Sequence, residues 1–317
     1  MWLAIETQDH ATFKPQPSRR EIDGLAAALT EQRNPRSQNL EKMTAPELVE
    51  LFVEEEKFVQ DALRAAAVDL ARAIETVTES LRHGGRLFYV GAGSSGRIGV
   101  LDASEIPPTF GAPTHVVQGV IAGGVTALHR SVEGAEDEES AGAYALDERR
   151  VKPPDVVLGI TASGRTPFVR GALARAKSLG AKTILLTCNP AGAWGNDPDP
   201  PRTAREIDAS ARPRSTPAAT ELDLLITLPV GPELLAGSTR LKAGTATKVA
   251  LNVISTGAMI RLGKVRGNLM IDLRTTSTKL RDRAVRIVAE VTQRDYESAR
   301  ALLEASDWNL RAALDKP

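Results

Sequence analysis

The sequence predicts an α/β fold: a parallel β-sheet flanked by helices, followed by a small three-helix segment. Three observations carry that reading. Five short apolar runs recur at strand length between residues 86 and 230, and their apolarity is continuous rather than alternating, as in strands covered on both faces. Helical spacing fills the gaps between them, as a layered parallel sheet requires. Beyond residue 281, three stretches carry apolar residues three and four positions apart.

Taken in order, residues 1–28 are polar and aperiodic and read as a mobile extension. "TAPE", Thr44 to Glu47, is a capping box with a proline suited to a first helical turn. Helical spacing continues, with a break, to Gly84-Gly85. The expected strands are "RLFYV" (86–90), "HVVQGVIAG" (115–123), "DVVLGITAS" (155–163), "KTILLTC" (182–188) and "DLLITLPV" (223–230). Their spatial order is not legible. Residues 189–221 hold six of the nineteen prolines and read as a surface-loop insertion. Helical spacing resumes from about 231, so residues 29–280 form the main domain. In 281–317, Asp295 and Asp307 are the expected N-caps of the last two helices.

Lys+Arg and Asp+Glu both number 40, which removes the electrostatic footprint expected of a nucleic-acid or anionic-membrane binder. A single cysteine, Cys188, excludes an intramolecular disulfide and reads as a small buried residue. The four histidines fall in no metal-ligand spacing, so no metal is expected; His83, His115 and His129 are assigned structural or surface places. The N-terminus lacks a signal-peptide pattern, and no stretch approaches the roughly 20 apolar residues of a membrane span. A cytoplasmic protein is expected.

Two strands run into matching loops, "GAGSSG" (91–96) and "TASGRTP" (161–167), each followed by a helix. Glycine permits close backbone approach, a helix start presents unpaired N–H groups and a positive dipole end, and hydroxyls add donors, so each loop suits a phosphate. A tight strand–helix connection explains either loop alone; two in one sheet favour the phosphate. Thr166 and Pro167 read as an N-cap followed by proline at the first helical position. Neither loop is a P-loop, and no acid supports a dinucleotide fingerprint, so a small phosphorylated metabolite is the better tenant. Glu105 lies in "DASEIPP", near the end of the first loop's helix, which Pro107-Pro108 should stop. A second acidic knot, "VEGAEDEES", contains Glu133, Glu136, Asp137, Glu138 and Glu139; alone, such a run is a solvated face.

"TEQRNPRSQNLEKM", "GAGSSGRIGVLDASEIPPTFG", "VEGAEDEESAG", "ASGRTPFVRGAL", "GPELLAGSTRLKAGTATKVALNVISTGAMIRLGKVRGNLMIDL" and the closing three-helix segment together resemble the bacterial N-acetylmuramic acid 6-phosphate etherases. The resemblance spans about residues 29 to 317, with the motifs in order. It implies the sugar isomerase (SIS) fold with flavodoxin-like layers and a UBA-like closing segment. It further implies cleavage of the lactyl ether of N-acetylmuramic acid 6-phosphate, without cofactor, by a homodimer whose sites lie near the subunit contact.

In the open-chain sugar the proton on carbon 2 lies beside an aldehyde. Its removal permits loss of lactate from carbon 3, and water then adds. One base and one acid are needed, which two carboxylates in unlike environments can supply. By resemblance, Glu105 is the acid that protonates lactate and then activates water, and Glu136 is the base on carbon 2. Gly93, Ser94, Ser95, Gly96, Ser163, Gly164 and Thr166 are the phosphate-loop candidates, with Arg165 either adding charge or facing solvent. Ser238, Thr239 and Lys242 either close the sugar pocket or form one more capped helix start. The same fold serves aldose–ketose isomerases, which release no lactate, and non-catalytic sugar-phosphate regulators built from two such domains; one sheet and two glutamates favour the etherase. Against the family pattern, Ser94 stands where threonine is common and 189–221 is longer than usual.

Overall fold

The computed structural model describes residues 29–189, 222–275 and 277–315. The expected extension at 1–28 and all but the first residue of the 189–221 insertion lie outside the described residues. Three short 3-10 turns (Leu29–Glu31, Pro35–Ser37 and Leu40–Lys42) precede three consecutive helices: α1 (Ala45–Glu55), α2 (Lys57–Ala65) and α3 (Ala67–Arg82). The capping box forms, with the Thr44 amide and hydroxyl both donating to Glu47 Oε2 at 2.7 Å. The expected break is in fact two, at Glu56 and Ala66.

The α/β part then alternates β1 (Leu87–Gly91), α4 (Gly93–Phe110), β2 (Val117–Ile121), the single turn α5 (Thr126–His129), α6 (Glu139–Glu148), β3 (Val156–Thr161), α7 (Pro167–Ser178), β4 (Lys182–Thr187) and β5 (Leu224–Thr227). All five strands are parallel, in the order β2-β1-β3-β4-β5. Helix α8 (Lys242–Arg261), a two-residue-per-strand hairpin β6 (Val265–Arg266) and β7 (Leu269–Met270), and helices α9 (Thr278–Thr292), α10 (Tyr296–Glu304) and α11 (Leu310–Leu314) complete the chain.

Continuous apolarity in the strands has the anticipated cause. Leu87, Tyr89, Leu158, Ile160 and Ile184 face one layer with α2, α3, α4 and α8; Phe88, Val90, Val157 and Leu185 face the other with α6 and α7. Alternate residues thus feed two cores. Each large side chain buried there contributes about 1.5–3 kcal/mol relative to exposure. Cys188 lies in the first core, where burial, then Glu233, raises its thiol to about 12. A third apolar cluster joins Leu273 to α9, α10 and α11.

Three expectations are corrected. Pro107 and Pro108 do not stop α4: the helix runs on to Phe110 and ends on Gly111 in the left-handed region, because Ile106, Pro107 and Phe110 are all buried and their packing outweighs two missing N–H donors. Residues 228–241 are not helical; α8 begins only at Lys242. Asp295 caps α10 through the Ser298 amide at 2.9 Å, but α11 is capped by Asn309, which accepts from the Ala312 amide at 3.0 Å, while Asp307 adopts φ 50°. The hairpin β6-β7 gave no signal in the sequence, since two residues per strand are too few to show a period.

Candidate active site at the sheet's switch point

In the strand order β2-β1-β3, chain continuity reverses between β1 and β3. Such a reversal opens a crevice at the carboxyl ends of the strands, where ligands bind in open α/β sheets. Gly91 at the end of β1 is registered with Ile160 near the end of β3, so the two hydroxyl-bearing loops are neighbours. The chain leaves β1 into α4 on one face and β3 into α7 on the other.

The first loop is helical from Gly93 onward, and its N-cap is Ala92, which offers no side-chain acceptor. The first intrahelical bond to Ala92 comes from the Gly96 amide at 3.2 Å, which leaves the amides of Gly93, Ser94 and Ser95 to another acceptor. Among the described residues the Ser94 and Ser95 hydroxyls have no hydrogen-bond partner. The glycine at 96 serves packing: a Cβ there would lie 2.6 Å from Ile121 Cγ1 and 2.7 Å from the Gly91 carbonyl. Only glycine lets the helix begin hard against the strand ends.

The second loop is held by hydroxyls. Thr161 Oγ1 lies 2.7 Å from Thr166 Oγ1 and 3.3 Å from Ser163 Oγ, which accepts from the Arg165 amide at 3.2 Å. Asn189 donates to the Ser163 carbonyl at 3.3 Å, and the Cys188 amide donates to the Ala162 carbonyl at 3.2 Å. Gly164, buried at φ 77°, makes the turn. Pro167 opens α7 as expected, but Thr166 turns its hydroxyl to Thr161 and makes no cap bond.

Glu136 sits on a single helical turn, Ala135–Asp137, beside the start of α4. With Gly93, Arg97, Ser131 and Glu133 it lines a cavity of about 100 Å³. Burial, then Asp137, then Glu133, raises its carboxyl above the ordinary value. Arg97, which donates to the Ala127 carbonyl at 2.8 Å, was not singled out in the sequence, where it is one arginine among many. The helical phase of α4 places it in this cavity.

Glu105 lies elsewhere in the same chain. It is exposed on α4 and lines a separate cleft of about 320 Å³ between α4, α8 and the hairpin. Twelve residues of helix separate it from Gly93, about 18 Å along the axis. Beneath it Asp102, buried, accepts from Tyr89 at 2.8 Å, Asn252 at 2.7 Å and Ser255 at 3.2 Å.

The third predicted group divides. Ser238 and Thr239 lie half-buried in the turn before α8, which meets α4 where Gly244 lies near both the Thr239 carbonyl and Ile98. Lys242 is buried, its ammonium 2.5 Å from Glu55 Oε2 and 4.9 Å from the Phe58 ring centre. Glu233 caps this helix, accepting from the Lys242 amide at 3.1 Å and the Ala243 amide at 2.9 Å. The start of α8 is therefore satisfied from within, and the start of α4 is not. Among the described residues no cluster of His, Cys, Asp and Glu could hold a metal ion.

The chain was compared with known proteins. A family profile described as the glucokinase regulatory protein N-terminal SIS domain matches residues 69–177, and one for a UBA-like domain matches 283–316. The N-acetylmuramic acid 6-phosphate etherase of Gloeobacter violaceus is 53% identical over 289 residues, 91% of this chain and 87% of that protein. The chain belongs to the N-acetylmuramic acid 6-phosphate etherase family. The etherase of Synechocystis is 49% identical over 90% of this chain and 86% of its own length, and that of Thermosynechococcus vestitus 49% over 93% and 88%. Among solved structures, a phosphoheptose isomerase from Francisella tularensis aligns with a TM-score of 0.45 at 17% identity, over 68% of this chain and 98% of its own. The named relatives and the family profile bear out the resemblance seen in the sequence, on the family and on its SIS domain.

Proposed function

We propose that this protein cleaves the lactyl ether of N-acetylmuramic acid 6-phosphate, giving N-acetylglucosamine 6-phosphate and D-lactate. It acts as a carbon–oxygen lyase in cell-wall recycling and amino sugar catabolism, in the cytoplasm. The observation that carries the proposal is about 50% identity to named etherases along nine-tenths of the chain. The uncapped start of α4 beside a carboxylate held above its ordinary value is the arrangement such a reaction needs. No helix among the described residues is long and apolar enough to cross a membrane.

The substrate's phosphate lies against the amides and hydroxyls at 93–96 and the loop of Ser163, Gly164, Arg165 and Thr166. Glu136, beside that start, takes the proton from carbon 2 of the open-chain aldehyde. Electrons move to form the carbon 2–carbon 3 double bond as the ether oxygen leaves with a proton from Glu105. Glu105, now a carboxylate, deprotonates water as it adds to carbon 3, and Glu136 returns its proton to carbon 2. The sum is substrate plus water to sugar phosphate plus lactate.

About 18 Å of helix separates Glu105 from the phosphate-holding turn, which supports a homodimer in which a second copy supplies the acid. Leu101, half-exposed one turn before Glu105, supports this face as the contact.

Two measurements test the reading. In oxygen-18 water, lactate release should come with label at carbon 3 of the sugar; binding without lactate release would leave a sugar-phosphate regulator instead. Glu105→Gln and Glu136→Gln proteins, each inactive alone, should recover about a quarter of wild-type activity when their subunits are exchanged, since half the dimers would be mixed and each would hold one intact site. No recovery would place both glutamates in one chain's site.

A further inference from the structure

The three C-terminal helices lie far in sequence from every candidate catalytic group, yet one of their side chains binds both flanks of the segment that walls the Glu105 cleft. Arg311, in the first turn of α11, donates to both oxygens of Asp272, from Nε at 2.6 Å and from Nη2 at 2.9 Å. The same Nη2 donates to the Gly263 carbonyl at 2.7 Å. Gly263 precedes the β6-β7 hairpin and Asp272 follows it, so a single guanidinium closes both ends of that segment. Lys264 reinforces the closure with a bond to Asp272 Oδ2 at 2.8 Å. Bidentate pairing of this kind fixes direction as well as distance.

The hairpin so fastened is the outer wall of the Glu105 cleft, through Val265, Gly267, Asn268 and Met270. The hairpin also packs on the third apolar cluster, which Leu269 and Met270 adjoin. Asp272 also lies against the C-cap of α4. Gly111, six residues past Glu105, has φ 63°, and a Cβ there would sit 2.3 Å from the Asp272 carbonyl. Burial raises the Asp272 carboxyl, but Arg311 and Lys264 outweigh it and hold the group below its ordinary value, so it stays charged.

We propose that the Arg311–Asp272 clamp makes the C-terminal helices a positioning device for Glu105, fixing the hairpin against which the acid is presented. Arg311 and Asp272 touch no substrate; they act through the hairpin and the end of α4. The proposal rests on Glu105 being the acid of the reaction proposed above.

The test separates the two carboxylates' steps. On the proposed roles, Glu136 by itself exchanges the carbon 2 proton of N-acetylglucosamine 6-phosphate with deuterium oxide, whereas lactate release from the etherase substrate also needs Glu105. In full-length Arg311→Gln, lactate release should fall about tenfold or more, as misplacement of a catalytic group does, while carbon 2 exchange stays within about twofold of wild type. Arg311→Lys should restore part of the loss. Asp272→Asn, which keeps the shape and removes the charge, should show the same split if Arg311→Gln fails to fold. Lactate release unchanged in both Arg311→Gln and Asp272→Asn overturns the proposal, and so does a parallel fall in release and exchange, which marks general loosening. A wild-type protein that releases no lactate would sink the etherase reading itself, a result distinct from either.

Discussion

Lys242 and Glu55, 187 positions apart in sequence, form an ion pair at 2.5 Å in which both side chains are buried. Asn34 donates to the same carboxylate at 2.8 Å and Arg36 at 3.0 Å, so one glutamate gathers the segment before α1, the end of α1 and the start of α8.

Breaking that pair from one side strands a buried charge. Lys242→Met should therefore destabilise the fold by about 3–5 kcal/mol, and the double variant Lys242→Met/Glu55→Leu by clearly less. Urea unfolding of the singles and the double measures this. Burial raises the Glu55 carboxyl, but Lys242, Asn34 and Arg36 together bring it below its ordinary value. The stabilisation is thus present above the ordinary carboxylate range and is lost as pH falls through the depressed value. A double variant as unstable as Lys242→Met would show that the pair is not the cause.

Acid should also release the sheet's edge. Asp223 accepts from the Thr183 amide at 3.0 Å and hydroxyl at 2.9 Å and pairs with Lys182 and Lys177, tying the entry of β5 to β4. Burial raises its carboxyl, yet these donors bring it down from 3.8 to about 2. A depressed value contributes stability above pH 3.8 that disappears as pH falls toward 2, roughly 2 kcal/mol in all. Asp223→Asn should remove most of that slope from a pH series of denaturation midpoints.

Glu136 titrates in the opposite direction. As a base it works only ionised, and burial, Asp137 and Glu133 raise its value, so kcat/KM for lactate release should rise with pH through a limb above the ordinary carboxylate range. Glu133→Gln removes one like charge and should move that limb to lower pH. Glu136→Gln should lower turnover by about 10²–10⁴. A limb unmoved by Glu133→Gln would mean that another group governs it.

The phosphate loops make a separable prediction. Ser95→Ala and Ser163→Ala each remove a hydroxyl assigned to the substrate's charge, a loss of about 1.5–3 kcal/mol, or roughly 10- to 150-fold in kcat/KM. Because Ser163 also accepts from the Arg165 amide, its substitution should be the more costly. Inorganic phosphate should protect wild-type protein from thermal unfolding more than either variant. Equal protection would place the phosphate elsewhere.

Much of this protein is written locally. The five strands, the capping box at Thr44, proline at the start of α7 and the Asp295 cap are set by neighbouring residues, because period, cap chemistry and turn chemistry act over a few positions. The two loops and both glutamates were likewise visible, through motifs. What the tertiary structure alone decided is where those groups stand. Strand order put the loops side by side, and helical phase brought Arg97 into the cavity that Glu136 lines. Burial turned Lys242 inward to Glu55, and packing of Phe110 carried α4 past two prolines. Each depends on contacts between residues dozens to hundreds of positions apart, whose free energies no local pattern encodes. The roughly 18 Å of helix between Gly93 and Glu105 is itself local, twelve residues at a fixed rise; that Glu136 lines a cavity at one end and the hairpin a cleft at the other was decided by the tertiary structure.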